Sequence, residues 1–259
     1  MVFFVFCLKH IEKRGKNMNK NISIVIIIVL FVSVLAFQFG DKSFATDFKM
    51  KTYDYDVQKN IYIDVGGAEI LFSDKSERIE VSQKLKVTMY KDSIYIRSPR
   101  KNTIFNFLND ENYKIIIGKK YKFEKVDIDV GGAKIQGLIE ADRVYIDGGG
   151  MKIYADIKSD RISIDGGGIK IRSEIEAQEL SIDGAGMDIS LKLKGTEDFS
   201  LDGAGIKANV KYLDTWKGQR YLKMNGVGGK LDVYMPGEDI IGELNVDADG
   251  IIDVEIHHY

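Results

Sequence analysis

Apolar and polar residues alternate along most of the chain beyond residue 125, and short glycine runs interrupt the alternation at regular intervals. In residues 144–157, Val144 and Ile146 precede three glycines, and every second residue from Met151 to Ile157 is apolar. A period of two predicts a β-strand on each side of the glycines. The apolar residues do not recur at the three- and four-residue spacing of a helix.

This unit repeats along the chain. The residue before the glycine run is Asp129, Asp147, Asp165 and Asp183 at steps of 18, then Asp202 after 19, Asn225 after 23 and Asp247 after 22. Asp64 is an earlier outlier. A short fixed period indicates stacked coils. The predicted fold is therefore all-β: a single-stranded parallel β-helix, or β-solenoid, with coils of about 18 residues.

The glycines are predicted to form the tight corner of each coil, because glycine tolerates positive φ and has no side chain to collide with neighbouring coils. The predicted corner residues are Gly66, Gly67, Gly131, Gly132, Gly149, Gly150, Gly167, Gly168, Gly184, Gly186, Gly203 and Gly205. Residues 213–220 form an insertion that is expected to bulge outward. Tyr212 and Trp216 make this insertion a candidate binding loop.

The chain divides into four segments. Residues 1–20 are basic and are predicted to be cytoplasmic, and residues 1–17 can be a mis-assigned start upstream of Met18. Residues 21–39 carry no charge and are long enough to span a bilayer as one helix. Residues 46–125 are an irregular first part of the solenoid, and residues 126–259 hold the regular repeats.

Two interpretations of residues 21–39 stay open. An uncleaved anchor places the protein in the cell membrane as a single-pass protein, with its C-terminal domain outside the cytoplasm. The alternative is a secretory signal, because residues 43–45 read Ser-Phe-Ala, a small-x-small cleavage site.

Composition narrows the function. Lysine plus arginine number 37 and aspartate plus glutamate 39, which gives no electrostatic case for a nucleic-acid partner. The only cysteine, Cys7, precedes the apolar segment, so the predicted solenoid has neither disulfides nor cysteine metal sites.

The repeated aspartates are the strongest candidate site. Stacking would align Asp129, Asp147, Asp165, Asp183 and Asp202 at about 4.8 Å intervals. Such a column could bind calcium. The favoured interpretation is structural: each aspartate accepts hydrogen bonds from backbone amides of its glycine turn. Lysines across the corner would then relieve the repulsion; they are Lys134, Lys152, Lys170, Lys207 and Lys230.

Enzymatic activity is not expected. The carboxylates are spread evenly rather than gathered in one cleft, and the histidines are His10, His257 and His258. The glycines do not follow a strand-to-helix pattern, so they are not a nucleotide loop. No catalytic residue and no cofactor is predicted.

The order of segments, with the motifs DSIYIRS, KFEKVDIDVGGAKI and the repeated DGGG corners, resembles the bacterial "putative adhesin" family of envelope β-solenoids, which includes LiaG-like proteins. The resemblance covers residues 55–256. It implies a non-enzymatic surface-binding module whose partners are the membrane and either another envelope protein or a surface glycan. The alternative is an accessory or regulatory protein that partners a membrane sensor system.

Overall fold

A computed structural model describes residues 49–54, 59–99, 112–118, 122–237 and 242–259. Throughout these residues the chain is all-β and contains no helix. None of the described segments is therefore a helix that could cross a membrane. The predicted membrane segment at residues 21–39 and the alternative start at Met18 lie outside the described residues.

Thirteen strands form one sheet. They are β1 (Met50–Tyr53), β2 (Asn60–Ser73), β3 (Ile79–Ser82), β4 (Lys86–Tyr90), β5 (Ser93–Arg97), β6 (Tyr113–Gly118), β7 (Phe123–Lys158), β8 (Arg161–Glu176), β9 (Glu179–Gly184), β10 (Met187–Lys194), β11 (Asp198–Tyr212), β12 (Gln219–Met235) and β13 (Glu243–His258).

Successive repeats pair in parallel and in register. Ile164 in β8 lies beside Ile146 in β7 on one side and Ile182 in β9 on the other, each 18 residues away. The same parallel pairing continues from β10 to β13. Equal steps along the chain thus bring equivalent residues of neighbouring repeats into contact, as the periodicity predicted.

The core is a set of stacked aliphatic layers. Ile146, Ile164, Ile182 and Leu201 are buried and continue from one repeat to the next. Burial alternates with exposure along each strand, for example over Arg161–Glu176. This alternation follows from the pleat, which directs successive side chains to opposite faces.

The two ends of the sheet differ. At the N-terminal end, β1 and β3 pair antiparallel, β3 pairs antiparallel with β6, and β4 pairs antiparallel with β5. These short strands cover the first parallel layer. At the other end, β13 pairs with β12 along its whole length.

The register corrects one alignment from the sequence. Asn225 pairs with Asp249, whereas the predicted equivalent, Asp247, pairs with Lys223. Asp64 pairs directly with Asp129 and is no outlier. Asp247 and Asp249 are two residues apart on the same face of the strand, so the sequence offers two candidates for this position, and the prediction selected the wrong one.

Of the two reasons expected for the corner glycines, collision with the neighbouring repeat applies at Gly149 and Gly167, and positive φ does not. Gly149 and Gly167 do not have positive φ. A Cβ at Gly167 would lie 2.7 Å from the carbonyl oxygen of Gly149, and one at Gly149 equally close to that of Gly131. At these two positions glycine is required by the close approach of neighbouring repeats. Positive φ occurs instead at Gly203 and Gly205.

Candidate functional site

The aspartates form one continuous row on the outside of the sheet. Strand pairing joins Asp64 to Asp129, Asp147 to Asp165, Asp165 to Asp183, Asp183 to Asp202, Asp202 to Asn225 and Asn225 to Asp249. We call these eight residues the acidic row. Asp129 and Asp147 lie in consecutive repeats within β7, where Gly149 packs directly against Gly131. Adjacent strands are about 4.8 Å apart, so the row repeats a carboxylate or amide oxygen at that interval.

Partial burial and the negative charges of the row raise the pKa of some of its own carboxyl groups. Partial burial, together with the charges of Asp64, Asp147 and Asp127, raises the pKa of Asp129. Partial burial and the neighbouring Asp165 and Asp202 likewise raise the pKa of Asp183. Like charges on adjacent strands disfavour ionisation of one another. The row is therefore a surface of concentrated negative charge.

The row is not held by the glycine turns, contrary to the prediction. Among the described residues, no backbone amide donates a hydrogen bond to Asp129, Asp147, Asp165, Asp183 or Asp202. The contacts found are side-chain ones: the Ser163 hydroxyl donates to Asp165 at 3.1 Å, and the Asn225 amide donates to Asp202 at 2.5 Å. The backbone stays extended through these residues, so the pleat directs the carboxylates outward, away from the local amides.

The lysines after the corner form a second row, but their ion pairs are with acidic residues outside the acidic row. Lys134 lies 3.6 Å from Glu69, and Lys170 lies 3.5 Å from Asp188. Lys230 contacts Asp232 and Glu255, each at 3.3 Å. These three lysines therefore balance acids on the far side of the corner, and the predicted relief of the acidic row by them is wrong.

A shallow groove runs along the glycine corner beside the acidic row. Its volume is about 400 Å³, and its lining consists of Asp165, Gly166, Asp183, Gly184, Ala185, Gly203 and Ala204. We call it the corner groove. It exists because glycine and alanine project little or nothing from the backbone. Two carboxylates thus border a strip of accessible backbone.

Not every predicted corner glycine is confined. A Cβ at Gly66 or Gly186 would meet no atom within 4 Å, whereas a Cβ at Gly131 would clash with the carbonyl oxygen of Gly66. Glycine is therefore required at corner positions that lie directly against the neighbouring repeat. Positions with open space around them can accept a side chain.

Tyr212 and Trp216 do not form an exposed binding loop. Tyr212 is 0% exposed and Trp216 is 8% exposed, and their rings lie 5.5 Å apart in the core. The Trp216 indole donates to the Glu243 carbonyl at 3.4 Å. The insertion folds its aromatic side chains inward, because two large rings gain more free energy from burial than from exposure. Burial also raises the pKa of Tyr212.

A second group of potential ligands was not found from the sequence. The side chains of Asp232, Glu255 and His257 place one ligand atom each within 4.8 Å of one another. The register of β12 and β13 brings them together, since Asp232 pairs with Glu255. The ammonium group of Lys230 already bridges both carboxylates. Lys230 thus compensates part of the negative charge, and the group is better described as an ion-pair network.

No family model and no curated protein matches the chain. Several solved structures align with most of the chain at low similarity. A "putative adhesin" from Bacteroides fragilis NCTC 9343 has a TM-score of 0.45 and 11% identity, over 83% of this chain and 98% of that one. A "putative lipid binding protein" from Parabacteroides distasonis ATCC 8503 has a TM-score of 0.40 and 14% identity, over 82% and 96%.

A "putative cell adhesion protein" from Clostridium sporogenes ATCC 15579 has a TM-score of 0.26 and 10% identity, over 82% of this chain and 100% of that one. At these values the likeness assigns no function to this chain. The resemblance to LiaG-like proteins stays a prediction.

Proposed function

We propose that the chain is a β-solenoid that acts outside the cytoplasm as a non-enzymatic binding module, with the acidic row and the corner groove as its binding surface. The observation that carries the proposal is the register of the row. Six strand pairings hold the acidic or amide side chains of the row at one outward position. Such a surface suits an extended ligand, because every repeat offers it the same contact.

The parallel pairing of repeats supports the solenoid. Strands that pair in parallel at offsets of 18 residues require the chain to return to the same starting side after each repeat. The return segments are short, as at Ser159 and Asp160. Their backbone amides donate hydrogen bonds to the backbone carbonyl oxygens of Glu176 and Asp142 in adjacent repeats. A chain that advances one layer per turn is what a solenoid requires, so this pairing supports the proposed fold.

The ligand class that fits best is a surface glycan. Ionised carboxylates only accept hydrogen bonds, and the hydroxyl groups of a polysaccharide can donate them. The serine hydroxyls of Ser163, Ser181 and Ser200 lie on the same outward face as the acidic row, and Ser200 donates to Ser181 at 3.1 Å. The negative charge of the row disfavours phosphate-rich polymers such as nucleic acids.

Residues 21–39 are proposed to anchor this module in the cell membrane. An uncharged run of this length inserts as one helix, and the lysines and arginine that precede it favour a cytoplasmic N-terminus. The binding surface would then face the cell exterior, where glycans are found.

We propose that the acidic row is not catalytic, because of the chemistry of its side chains. General acid–base catalysis needs groups whose environments separate their pKa values within one cleft. Here the pKa values of Asp129 and Asp183 move in the same direction, and their side chains lie on an open face rather than in a cleft. The arrangement provides repeated acceptors without a distinct acid and base.

The test is binding of the full-length chain, in mild detergent, to purified bacterial cell-wall polysaccharide. The row variant carries Asp147→Asn, Asp165→Asn and Asp183→Asn. The matched control carries Glu174→Gln, Glu197→Gln and Asp198→Asn, which removes the same charge outside the row. We expect the row variant to lose affinity by about tenfold or more, equivalent to about 1.4 kcal/mol, and the control to bind like the parent. Equal affinity of all three proteins would contradict the proposal.

A further inference from the structure

The two ends of the sheet expose strand edges. At the C-terminal end, β13 pairs only with β12 among the described strands, so its outer edge has no strand beside it. At the N-terminal end, and again within the described part of the chain, β4 pairs only with β5, and β1 pairs only with β3. Unpaired backbone amides and carbonyls along an edge are a template for pairing with another chain.

The C-terminal end is acidic and incompletely covered. Residues 242–259 contain five acids and no lysine or arginine; the acids are Glu243, Asp247, Asp249, Asp253 and Glu255. Ile251 is 72% exposed. Leu244, Val246 and Val254 pack against the core but are only partly buried. This end therefore combines negative charge with apolar surface that another layer would cover.

The N-terminal end has the opposite charge. Residues 49–53 and 84–91, which contain the two edge strands, together hold five lysines and no acid; they are Lys49, Lys51, Lys84, Lys86 and Lys91. Tyr90 is 63% exposed on this edge, and Met89 lies exposed beside it. With Asp54 and Asp92, which directly follow these two stretches, the formal charge of the N-terminal end is +3, against −5 at the C-terminal end.

The topology matches these edges to each other. Strand β4 extends the side of the sheet that begins with Asn60–Asp64 through β5, and β1 extends the side of Ala68–Ser73 through β3 and β6. The first half of β13 continues the former side, and its second half continues the latter. A copy stacked end to end would place β4 against residues 243–249 and β1 against residues 251–258.

We propose that the C-terminal end of one copy docks onto the N-terminal end of a second copy, continuing both sides of the sheet across the junction. Opposite charges favour this head-to-tail contact. A symmetric contact between two β13 edges would oppose acid to acid, which is unfavourable across strands. A head-to-tail contact uses two different surfaces and does not close on itself, so it produces open chains of protomers.

The proposal is tested by sedimentation velocity of the full-length chain in mild detergent. We expect assemblies that grow with protein concentration at low salt and dissociate at about 1 M salt, where the screening length is about 3 Å. Variant C carries Glu243→Lys, Asp247→Lys, Asp249→Lys and Asp253→Lys, which changes the C-terminal end from −5 to +3. Variant N carries Lys49→Glu, Lys51→Glu, Lys86→Glu and Lys91→Glu, which makes the N-terminal end negative. Each alone is expected to sediment as the protomer, with thermal unfolding used to verify that it is folded.

Mixing variants C and N provides the decisive comparison. The altered end of each variant is complementary to the altered end of the other, and so are the two unaltered ends, so association should return in the mixture. Three results would overturn the proposal: a parent chain that stays a protomer at low salt, variants that still associate alone, or a mixture that does not associate. If the parent chain stays a protomer but binds a synthetic lysine-rich strand peptide, the C-terminal edge accepts a foreign strand rather than a second copy. That result would also overturn the proposal.

Discussion

Buried Arg220 and partly exposed Asp214 form an ion pair next to the aromatic residues of the insertion. The Arg220 Nη2 atom lies 2.6 Å from Asp214 Oδ2, its Nη1 atom 3.1 Å from Oδ1, and its guanidinium 4.2 Å from the centre of the Trp216 ring. Arg220 is only 5% exposed. The pair fixes the insertion against the core, since Asp214 also accepts a hydrogen bond from the Gly195 amide at 3.1 Å.

We predict that Asp214→Asn destabilises the fold by about 3 kcal/mol, because it leaves the buried Arg220 charge without its counterion. Chemical denaturation of the parent and the variant measures the difference. The matched control is Glu179→Gln, which breaks the exposed Arg161–Glu179 pair and is expected to change stability little. A similar loss in both variants would contradict the distinct role of the Arg220–Asp214 pair.

The same pair predicts a dependence on pH. Burial alone would raise the pKa of Asp214, but the hydrogen bonds from Arg220 and the Gly195 amide outweigh it and leave the pKa below its ordinary value. A lowered folded-state pKa gives stability that is complete above the unfolded value, about 4, and is lost as the pH falls through the folded value. Thermal unfolding should therefore show a loss below about pH 4 that is smaller in Asp214→Asn.

The close approach at the corner predicts opposite outcomes for two glycines. Gly167→Ala places a Cβ 2.7 Å from a carbonyl oxygen of the neighbouring repeat, and should cost about 1–3 kcal/mol. Gly186→Ala meets no atom within 4 Å, and should be neutral or slightly stabilising, by up to about 1 kcal/mol. Denaturation midpoints that fall equally in both would refute this account of the corner.

The repulsion within the acidic row predicts that removing one of its charges increases the stability of the fold. Because the folded-state pKa of Asp183 is raised, its ionised form costs stability above that pKa, and protonation recovers the cost as the pH falls. Asp183→Asn should therefore raise the unfolding midpoint at neutral pH, and the gain should vanish in acid. Asn225 shows that the row accepts this amide.

The effect of calcium on stability distinguishes two interpretations of the acidic row: hydrogen-bond acceptors for a ligand, or ligands for a metal ion. We expect calcium, compared with a chelator, to shift the unfolding midpoint of the parent little. A large stabilisation by calcium that is absent in Asp183→Asn would instead assign the row to metal binding, since calcium affinity depends on the number of charged ligands.

Much of the architecture follows from the sequence because the repeats are short and regular. The alternation predicted an all-β chain, and the 18-residue step predicted that Ile164 lies between Ile146 and Ile182. The last repeat could not be aligned in this way. Asp247 and Asp249 fit the corner position about equally, so the spacing did not identify Asp249. The bulge at Val227 and Gly229 then shifts the later pairing by one residue, and therefore hid the meeting of His257 with Asp232.

The burial of Tyr212 could have been predicted. Ile206, Ala208 and Val210 point inward, and Tyr212 continues the same period of two. Its position beside an insertion suggested a loop instead. The contacts of the aspartates and lysines could not be predicted, because spacing along the chain does not show which neighbours a surface side chain selects.

The central claim is that each repeat adds one strand layer, so that the acidic row is a single continuous line. Distances between spin labels test it directly in a Cys7→Ser background, with cysteine pairs at Asp147 and Asp202, Asp147 and Asn225, and Asp147 and Asp249. These pairs are separated by three, four and five layers, so their backbone distances should be about 14, 19 and 24 Å. Mean distances that rise in this order by about 5 Å per layer are the predicted result. Distances that do not increase from pair to pair would contradict the account.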